Sequence, residues 1–294
     1  MEIRKTGVFT MLGRPNVGKS TLTNALVGEK VTIVSNKPQT TRNRVTGIVP
    51  YRDAQFIFID TPGFHKPKNK LGDYMVGVVN DSVGDADAGI LVVEPRAPGK
   101  QEKILIGRMQ DEGMPMLLFI NKADAVDKRE ILGVIEQYAA LAEFVTIIPA
   151  SAKTGDGVEI LQEELYKLCE DGPALYEEGV FSDQSERVMA AEFIREKLLR
   201  LLDREVPHGI AVEIEKFDES NADYTEVGAV IYCEKESHKG IVIGKNGAML
   251  KKVGQYARQD MEKLLGKKVF LTLWVKIREN WRDDGYSIRD FGYE

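Results

Sequence analysis

The octapeptide GRPNVGKS, Gly13 to Ser20, sets two glycines, a lysine and a hydroxyl in the pattern G-x-x-x-x-G-K-[ST]. Glycines let successive backbone N–H groups turn inward around phosphate oxygens, and a helix N-terminus behind them adds partial positive charge. Lys19 is then placed to reach the β- and γ-phosphates of a nucleoside triphosphate, and the Ser20 hydroxyl to ligate Mg²⁺. The pattern carries this chemistry only between a strand and a helix. The apolar run TGVFTML (6–12) precedes it and an amphipathic stretch (18–28) follows. Nucleotide contacts are therefore expected at Gly13, Arg14, Pro15, Asn16, Val17, Gly18, Lys19, Ser20 and Thr21.

Four further motifs lie beyond it. DTPG, Asp60 to Gly63, closes an apolar run, so Asp60 can hold Mg²⁺ through water and the Gly63 N–H can meet a γ-phosphate. QTTRNR, Gln39 to Arg44, can supply a threonine to the metal, and Thr41 is favoured over Thr40. NKAD and SAK both stand at the ends of apolar runs, where ligands bind open α/β sheets. A carboxylate at Asp124 can accept from guanine N1–H and the 2-amino group, donors that adenine lacks. Asn121 and Lys122 complete that loop, and Ser151, Ala152 and Lys153 can offer backbone N–H groups to guanine O6. A site built on such hydrogen bonds rejects the wrong base strongly, because buried polar groups are left unpaired. This disfavours a metabolic ATP-dependent kinase. The residues expected to act on the γ-phosphate are Lys19, Thr41 and Gly63; those expected at the metal are Ser20, Thr41 and Asp60.

Such loops need a rigid frame. From residue 5 to about 170, short apolar runs at 6–12, 56–60, 89–94, 115–121 and 145–150 alternate with amphipathic stretches at 18–28, 70–83, 99–112, 127–141 and 156–170. Continuous apolar strands between helices imply a mostly parallel sheet covered on both faces. VTGIVPY (45–51) precedes AQFIFID across a polar turn, which predicts a hairpin and one antiparallel edge strand. The pattern breaks at DGPALYEEGVFSDQ (171–184). The division expected is a first domain over 1–172, a linker over 173–183 and a second domain over 184–294.

GRPNVGKS, QTTR, DTPG, NKAD and SAK, in this order, resemble the translation-factor-related class of small GTPases. The resemblance covers roughly the first 170 residues and implies a six-stranded, mostly parallel sheet with one antiparallel strand. It also implies hydrolysis of GTP to GDP and phosphate. Where Ras-type enzymes carry a water-orienting glutamine, this chain has Phe64, so unassisted hydrolysis should be slow. Some relatives with asparagine at the position of Asn16 use K⁺ near the phosphates in place of an arginine finger, and the resemblance carries K⁺ over as an expected ion.

Beyond the break the expected order is a helix (184–202), strands at 209–217 and 226–234, a short helix, the tetrapeptide GKNG, a helix (247–265) and a strand (268–277). This α-β-β-α-α-β order with G-x-x-G between two helices is the layout of a type II KH domain. Helix–GxxG–helix sets backbone-exposing glycines against a nucleic-acid backbone and clamps about four nucleotides of single strand. Ile243, Gly244, Lys245, Asn246, Gly247, Lys251 and Lys252 are the expected RNA contacts, with Ile241, Val242 and the last strand forming the groove wall. Charge agrees: the chain carries net −6, yet residues 230–294 hold 13 basic and 9 acidic side chains. The tail beyond 277, with Trp281, Tyr286 and Phe291, can stack on bases or pack on its own domain.

A small GTPase followed by a type II KH domain is similar to a family of bacterial ribosome-assembly GTPases. That resemblance implies binding near the 3′ end of small-subunit (16S) rRNA, a role in 30S assembly and rRNA maturation, and a monomer. It also implies a cytoplasmic location with peripheral contact at the inner face of the cell membrane. The alternative is a signalling or membrane-associated GTPase whose C-terminal domain binds a protein. No apolar run approaches the roughly 18 residues of a membrane span, and no apolar signal core opens the chain. Cys169 and Cys233, far apart and outside any CxxC, read as reduced thiols; three scattered histidines do not suggest a metal site.

Overall fold

The computed structural model describes residues 2–293, which divide into two compact units. The first takes in residues up to 34, Thr41–Lys66 and Met75–Asp183; the second takes in Ser35–Thr40, Pro67–Tyr74 and the residues from Gln184 on.

In chain order the first part runs β1 (Lys5–Leu12), α1 (Lys19–Val27), β2 (Val45–Tyr51), β3 (Ala54–Asp60), α2 (Lys70–Gly84), β4 (Ala88–Val93), α3 (Lys100–Asp111), β5 (Met116–Ile120), α4 (Lys128–Ala139), β6 (Thr146–Pro149), α5 (Val158–Lys167) and β7 (Glu170–Asp171). The sheet order is β2-β3-β1-β4-β5-β6. Only the β2–β3 pair along this path is antiparallel, its register running from Val45 opposite Asp60 to Tyr51 opposite Ala54. Side chains alternate across a strand, so each apolar strand feeds two cores. Phe9, Met11, Ile90, Val92, Leu117 and Phe119 pack with Leu22, Leu26, Leu161 and Leu165 of α1 and α5. Leu12, Leu91, Val93, Leu118 and Ile120 pack with Val79, Val83, Leu105, Met109, Val134 and Tyr138 of α2, α3 and α4. The strands therefore end rigidly, and the loops at their carboxyl ends inherit that rigidity.

The sheet has one strand more than expected. The two residues of β7 pair antiparallel with β1, too short a stretch to show periodicity. The aperiodic segment after it is also ordered by partners rather than by pattern. The Gln55 side chain accepts from the Leu175 and Tyr176 N–H groups at 2.8 and 3.0 Å and donates to the Tyr176 carbonyl at 2.9 Å. The Ile48 N–H on edge strand β2 donates to the Phe181 carbonyl at 2.9 Å. Edge-strand groups are thus satisfied that would otherwise face water.

The second unit contains α6 (Glu186–Leu201), β8 (Ile210–Asp218), β9 (Tyr224–Cys233), α7 (Glu236–Ile243), α8 (Ala248–Leu265), β10 (Lys268–Ile277) and α9 (Gly285–Asp290). Its sheet is ordered β10-β9-β8, with β10 parallel and β8 antiparallel to β9. The tail packs on its own unit: Trp281 is fully buried, donates from Nε1 to the Gly209 carbonyl at 3.0 Å, and meets Phe291 edge-on at 5.2 Å. Tyr286 alone of the three aromatics stays exposed.

Candidate functional site

The loop between β1 and α1 is shaped by backbone that only glycine adopts comfortably. Gly13 has φ +150° and Gly18 φ +104°, and a Cβ on Gly18 would stand 2.1 Å from Asn121 Nδ2. Lys19, buried, donates from Nζ to the Gly13 and Arg14 carbonyls at 3.2 and 3.3 Å. Burial pushes its amine down to about 8, with the Asp60 charge opposing. An ammonium so stripped of water gains strongly from an anion.

Ser20, Thr41 and Asp60 come together beside it. The Ser20 and Thr41 hydroxyls are 2.9 Å apart. Asp60 is fully buried, its Oδ2 accepts from Thr32 at 3.1 Å, and its Oδ1 has no hydrogen bond of good geometry. Burial pushes the Asp60 carboxyl upward, against the Lys19 charge and the Ser20, Thr32 and Thr41 hydroxyls. Two hydroxyls and an under-satisfied carboxylate oxygen are a hard oxygen set that suits Mg²⁺, which completes its shell with phosphate oxygens and water. Thr40, by contrast, turns its hydroxyl to Ser35 and to the Lys37 carbonyl, both at 2.7 Å.

Asn121 ties the phosphate loop to the two base-side loops. Its Nδ2 donates to the Val17 carbonyl at 2.7 Å, and its Oδ1 accepts from the Lys122 and Ala152 N–H groups, both at 2.9 Å. Lys122, at φ 64°, extends back to the Asn16 carbonyl at 2.9 Å and to Glu94 at 2.6 Å. Burial opposes the charge on Glu94, but the hydrogen bond and charge of Lys122 hold its carboxyl below the usual range. Ser151 and Ala152 are buried, whereas Asp124 and Lys153 are exposed.

The loop after β3 leans on the same structure. The Phe64 N–H donates to the Gly13 carbonyl at 2.9 Å, and a Cβ on Gly63 would lie 2.5 Å from Pro15 Cα. Phe64 is buried in the core with Val79 and Leu105, and the Arg108 guanidinium stands 4.7 Å from its ring centre. Its ring thus occupies packing space between α2 and α3. Sequence reasoning missed Glu102, which is almost wholly buried and forms an ion pair with Arg14 beneath the loop. The only signal was its place three residues after Gly99, whose N–H donates to the Glu102 carboxylate at 3.0 Å.

In the second unit, Gly244 (φ +71°), Asn246 (φ 53°) and Gly247 (φ +76°) turn the chain between α7 and α8. A Cβ at Gly244 would meet the Met249 N at 2.9 Å, whereas the space beside Gly247 is open. Lys245, Lys251 and Lys252 are exposed on this rim, the last with its amine 5.9 Å from the Tyr256 ring centre. Beside them lies an open groove of about 620 Å³ whose walls include Gly247, Leu250, Lys251, Gly254, Arg258 and the edge strand from Val269 to Leu273. Ile241, Val242 and Ile243 are not among these walls: Val242 is fully buried and Ile241 half exposed. Helical spacing on α8 reveals Leu250, Gly254 and Arg258 as one face only once the strand opposite is known.

Comparison with known proteins agrees with both halves. Residues 8–122 match the family described as 50S ribosome-binding GTPase, and residues 205–282 match the KH domain. GTPase Era of Ruminiclostridium cellulolyticum is 45% identical over 291 residues, 99% of this chain and 98% of its own. GTPase Era of Alkaliphilus metalliredigens is 46% identical over 295 residues, covering 99% of each chain. Among solved structures, Era in complex with MgGDPNP and nucleotides 1506–1542 of 16S ribosomal RNA superposes with a TM-score of 0.95 at 35% identity, over 99% of both chains. A variant of Aquifex aeolicus Era bound to GDP·AlF4⁻ gives a TM-score of 0.94 at 36% identity, over 98% of this chain and 99% of that one.

Proposed function

This chain belongs to the Era family of GTPases, and from that premise we propose that it is a GTP-hydrolysing switch that binds the 3′ end of 16S rRNA during 30S subunit assembly and rRNA maturation. The observation that carries the reading is the convergence of Lys19, Ser20, Thr41 and Asp60 on one side of the phosphate loop, with Asn121 joining that loop to the base-side loops.

In this reading Lys19 leaves the Gly13 and Arg14 carbonyls for the β- and γ-phosphates, where its desolvated charge is worth most. The loop N–H groups cradle the phosphates, and the Gly63 N–H meets the γ-phosphate. Ser20, Thr41 and Asp60 would hold Mg²⁺, which when bound neutralises charge building on the phosphate oxygens. Water attacks in line and GDP and phosphate leave. Phe64, packed in the core, has no group with which to orient that water, so turnover without assistance is slow. Losing the γ-phosphate removes what Gly63 and Thr41 hold, which releases both loops as an order–disorder switch. Asp124 chooses guanine, with the Ser151–Lys153 backbone on O6. The GKNG turn and its lysines take the RNA backbone.

K⁺ beside Asn16, a monomeric state, and a cytoplasmic location with peripheral contact at the membrane belong to the same proposal. Among the described residues no helix is long and apolar enough to cross a membrane. Equal GTP turnover in KCl and NaCl would remove the K⁺ assignment. The central experiment titrates single-stranded 16S 3′-end RNA and a scrambled control into protein loaded with a GTP analogue or GDP, at fixed salt. Selective binding that differs between nucleotide states is expected; no binding in either state would leave a GTPase whose C-terminal partner is a protein.

A further inference from the structure

In the three-stranded sheet of the second unit, the face turned away from α8 is open along the edge strand β10, whereas further in Val230 is fully buried and Tyr232 meets Phe291 at 5.0 Å. Along β10, Val269 is buried and Leu273 approaches α8 closely enough that a Cβ on Gly254 would touch it at 3.4 Å. The alternate residues Lys268, Phe270, Thr272, Trp274 and Lys276 are all exposed. Phe270 and Trp274 are large rings at 60% and 49% exposure, about 13 Å apart along the strand at its usual rise.

Both rings are held rather than loose. Phe270 meets Tyr224 of β9 edge-on at 4.8 Å. The six-membered part of Trp274 lies above Gly228, where a Cβ would stand 3.3 Å from its Cζ3. The φ of Gly228 makes no demand for glycine, and glycine weakens a strand interior; what it provides is room for the indole to sit against the sheet. Two lysines nearby are paired, Lys276 with Glu215, and Lys216 with Asp218 and Glu226, while Lys268 stands exposed at the start of the strand. The face therefore offers fixed π-surfaces with most of its charge paired.

We propose that this open face is a base-stacking platform for single-stranded RNA continuing from the groove, with bases lying on Phe270 and Trp274. The proposal rests on the groove being the RNA site. Continuity favours RNA as the occupant, because β10 is both the groove's outer wall and the platform's edge, and Phe270 belongs to both. Stacking on aromatic rings tolerates any base, and the paired Lys216 and Lys276 leave the rings as the face's main offering.

The test uses the full chain and 4- and 12-nucleotide single strands from the 3′ end of 16S rRNA. Tryptophan emission reports directly, since Trp274 is exposed and Trp281 is fully buried. The 12-mer is expected to quench the exposed tryptophan and the 4-mer to leave it unchanged. Trp274→Leu, a surface change outside the groove, should weaken the 12-mer roughly tenfold, about 1.4 kcal/mol, and leave the 4-mer alone; Phe270→Leu, at a residue that also lines the groove, should weaken the 12-mer at least as much. The dependence of 12-mer affinity on salt should keep its slope, because no phosphate contact is lost. Gly244→Asp with Gly247→Asp should lose both RNAs. Unchanged emission together with unchanged 12-mer affinity in the ring variants overturns the platform while the groove stands. Failure of wild-type protein to bind either RNA overturns both.

Discussion

Asn121→Ala separates two ideas about how the nucleotide loops are held. In the native protein this side chain, 3% exposed, satisfies the Val17 carbonyl and the Lys122 and Ala152 N–H groups. Truncation orphans all three. Lys122 N–H is half-buried and can turn to water, which leaves two groups at roughly 1–3 kcal/mol each, or about 2–6 kcal/mol together. The free protein escapes part of this cost by letting the loops open to solvent. Bound nucleotide forces them back, so what is avoided in the free state reappears in affinity. Taking the lower third of the range for binding, GDP should bind about 30- to 300-fold more weakly, or about 2–3.3 kcal/mol. The thermal midpoint of the nucleotide-free protein should fall as well. Titration with a fluorescent GDP analogue, alongside melts with and without GDP, measures both parts. GDP affinity within twofold of wild type, with an unchanged midpoint, would refute the view that Asn121 joins the phosphate and base loops.

Three other substitutions probe separate links. Asp124→Asn should weaken GTP and favour XTP, read by competition for the labelled nucleotide, with no change in melting because Asp124 is exposed. Gly63→Ala sets a Cβ 2.5–2.6 Å from the Pro15 backbone; the loop after β3 must move off the phosphate loop, and single-turnover hydrolysis should slow at least tenfold while GDP affinity holds. Leu161→Ala empties a site of 0% exposure between α5 and the sheet, and should cost about 2–5 kcal/mol in urea unfolding, with guanine specificity unaltered.

Much of the fold follows from local pattern. Residues 45–51 and 268–277 form strands over the spans that alternation and β-branching predict. Helix–GxxG–helix likewise declares itself, because a pair of glycines between two periodic stretches permits few backbones, and Gly244 and Gly247 both take positive φ. The phosphate loop is legible for the same reason: its chemistry lies in eight consecutive residues. Other features were closed to such reading. Nothing in DGPALYEEGVFSDQ announces order; the Gln55 side chain and the Ile48 N–H supply it from more than a hundred residues away. Glu102 reads as one more helix-surface carboxylate until Arg14 is found above it.

The two tryptophans give the sharpest division. By residue type Trp274 and Trp281 are equivalent, seven residues apart in an aromatic C-terminal segment. Period-two alternation along β10 puts Trp274 on one face, but alternation says only that the two faces differ. Which face receives α8, and so which side chains stay in water, depended on how strand and helix docked. Trp281 is sealed by the Gly209 carbonyl and the Phe291 ring, partners that no spacing rule brings near. Sequence determines what a residue can do and which neighbours along one element share its face. Burial and partnership depend on contacts between elements far apart in the chain, and those exist only once the units have folded.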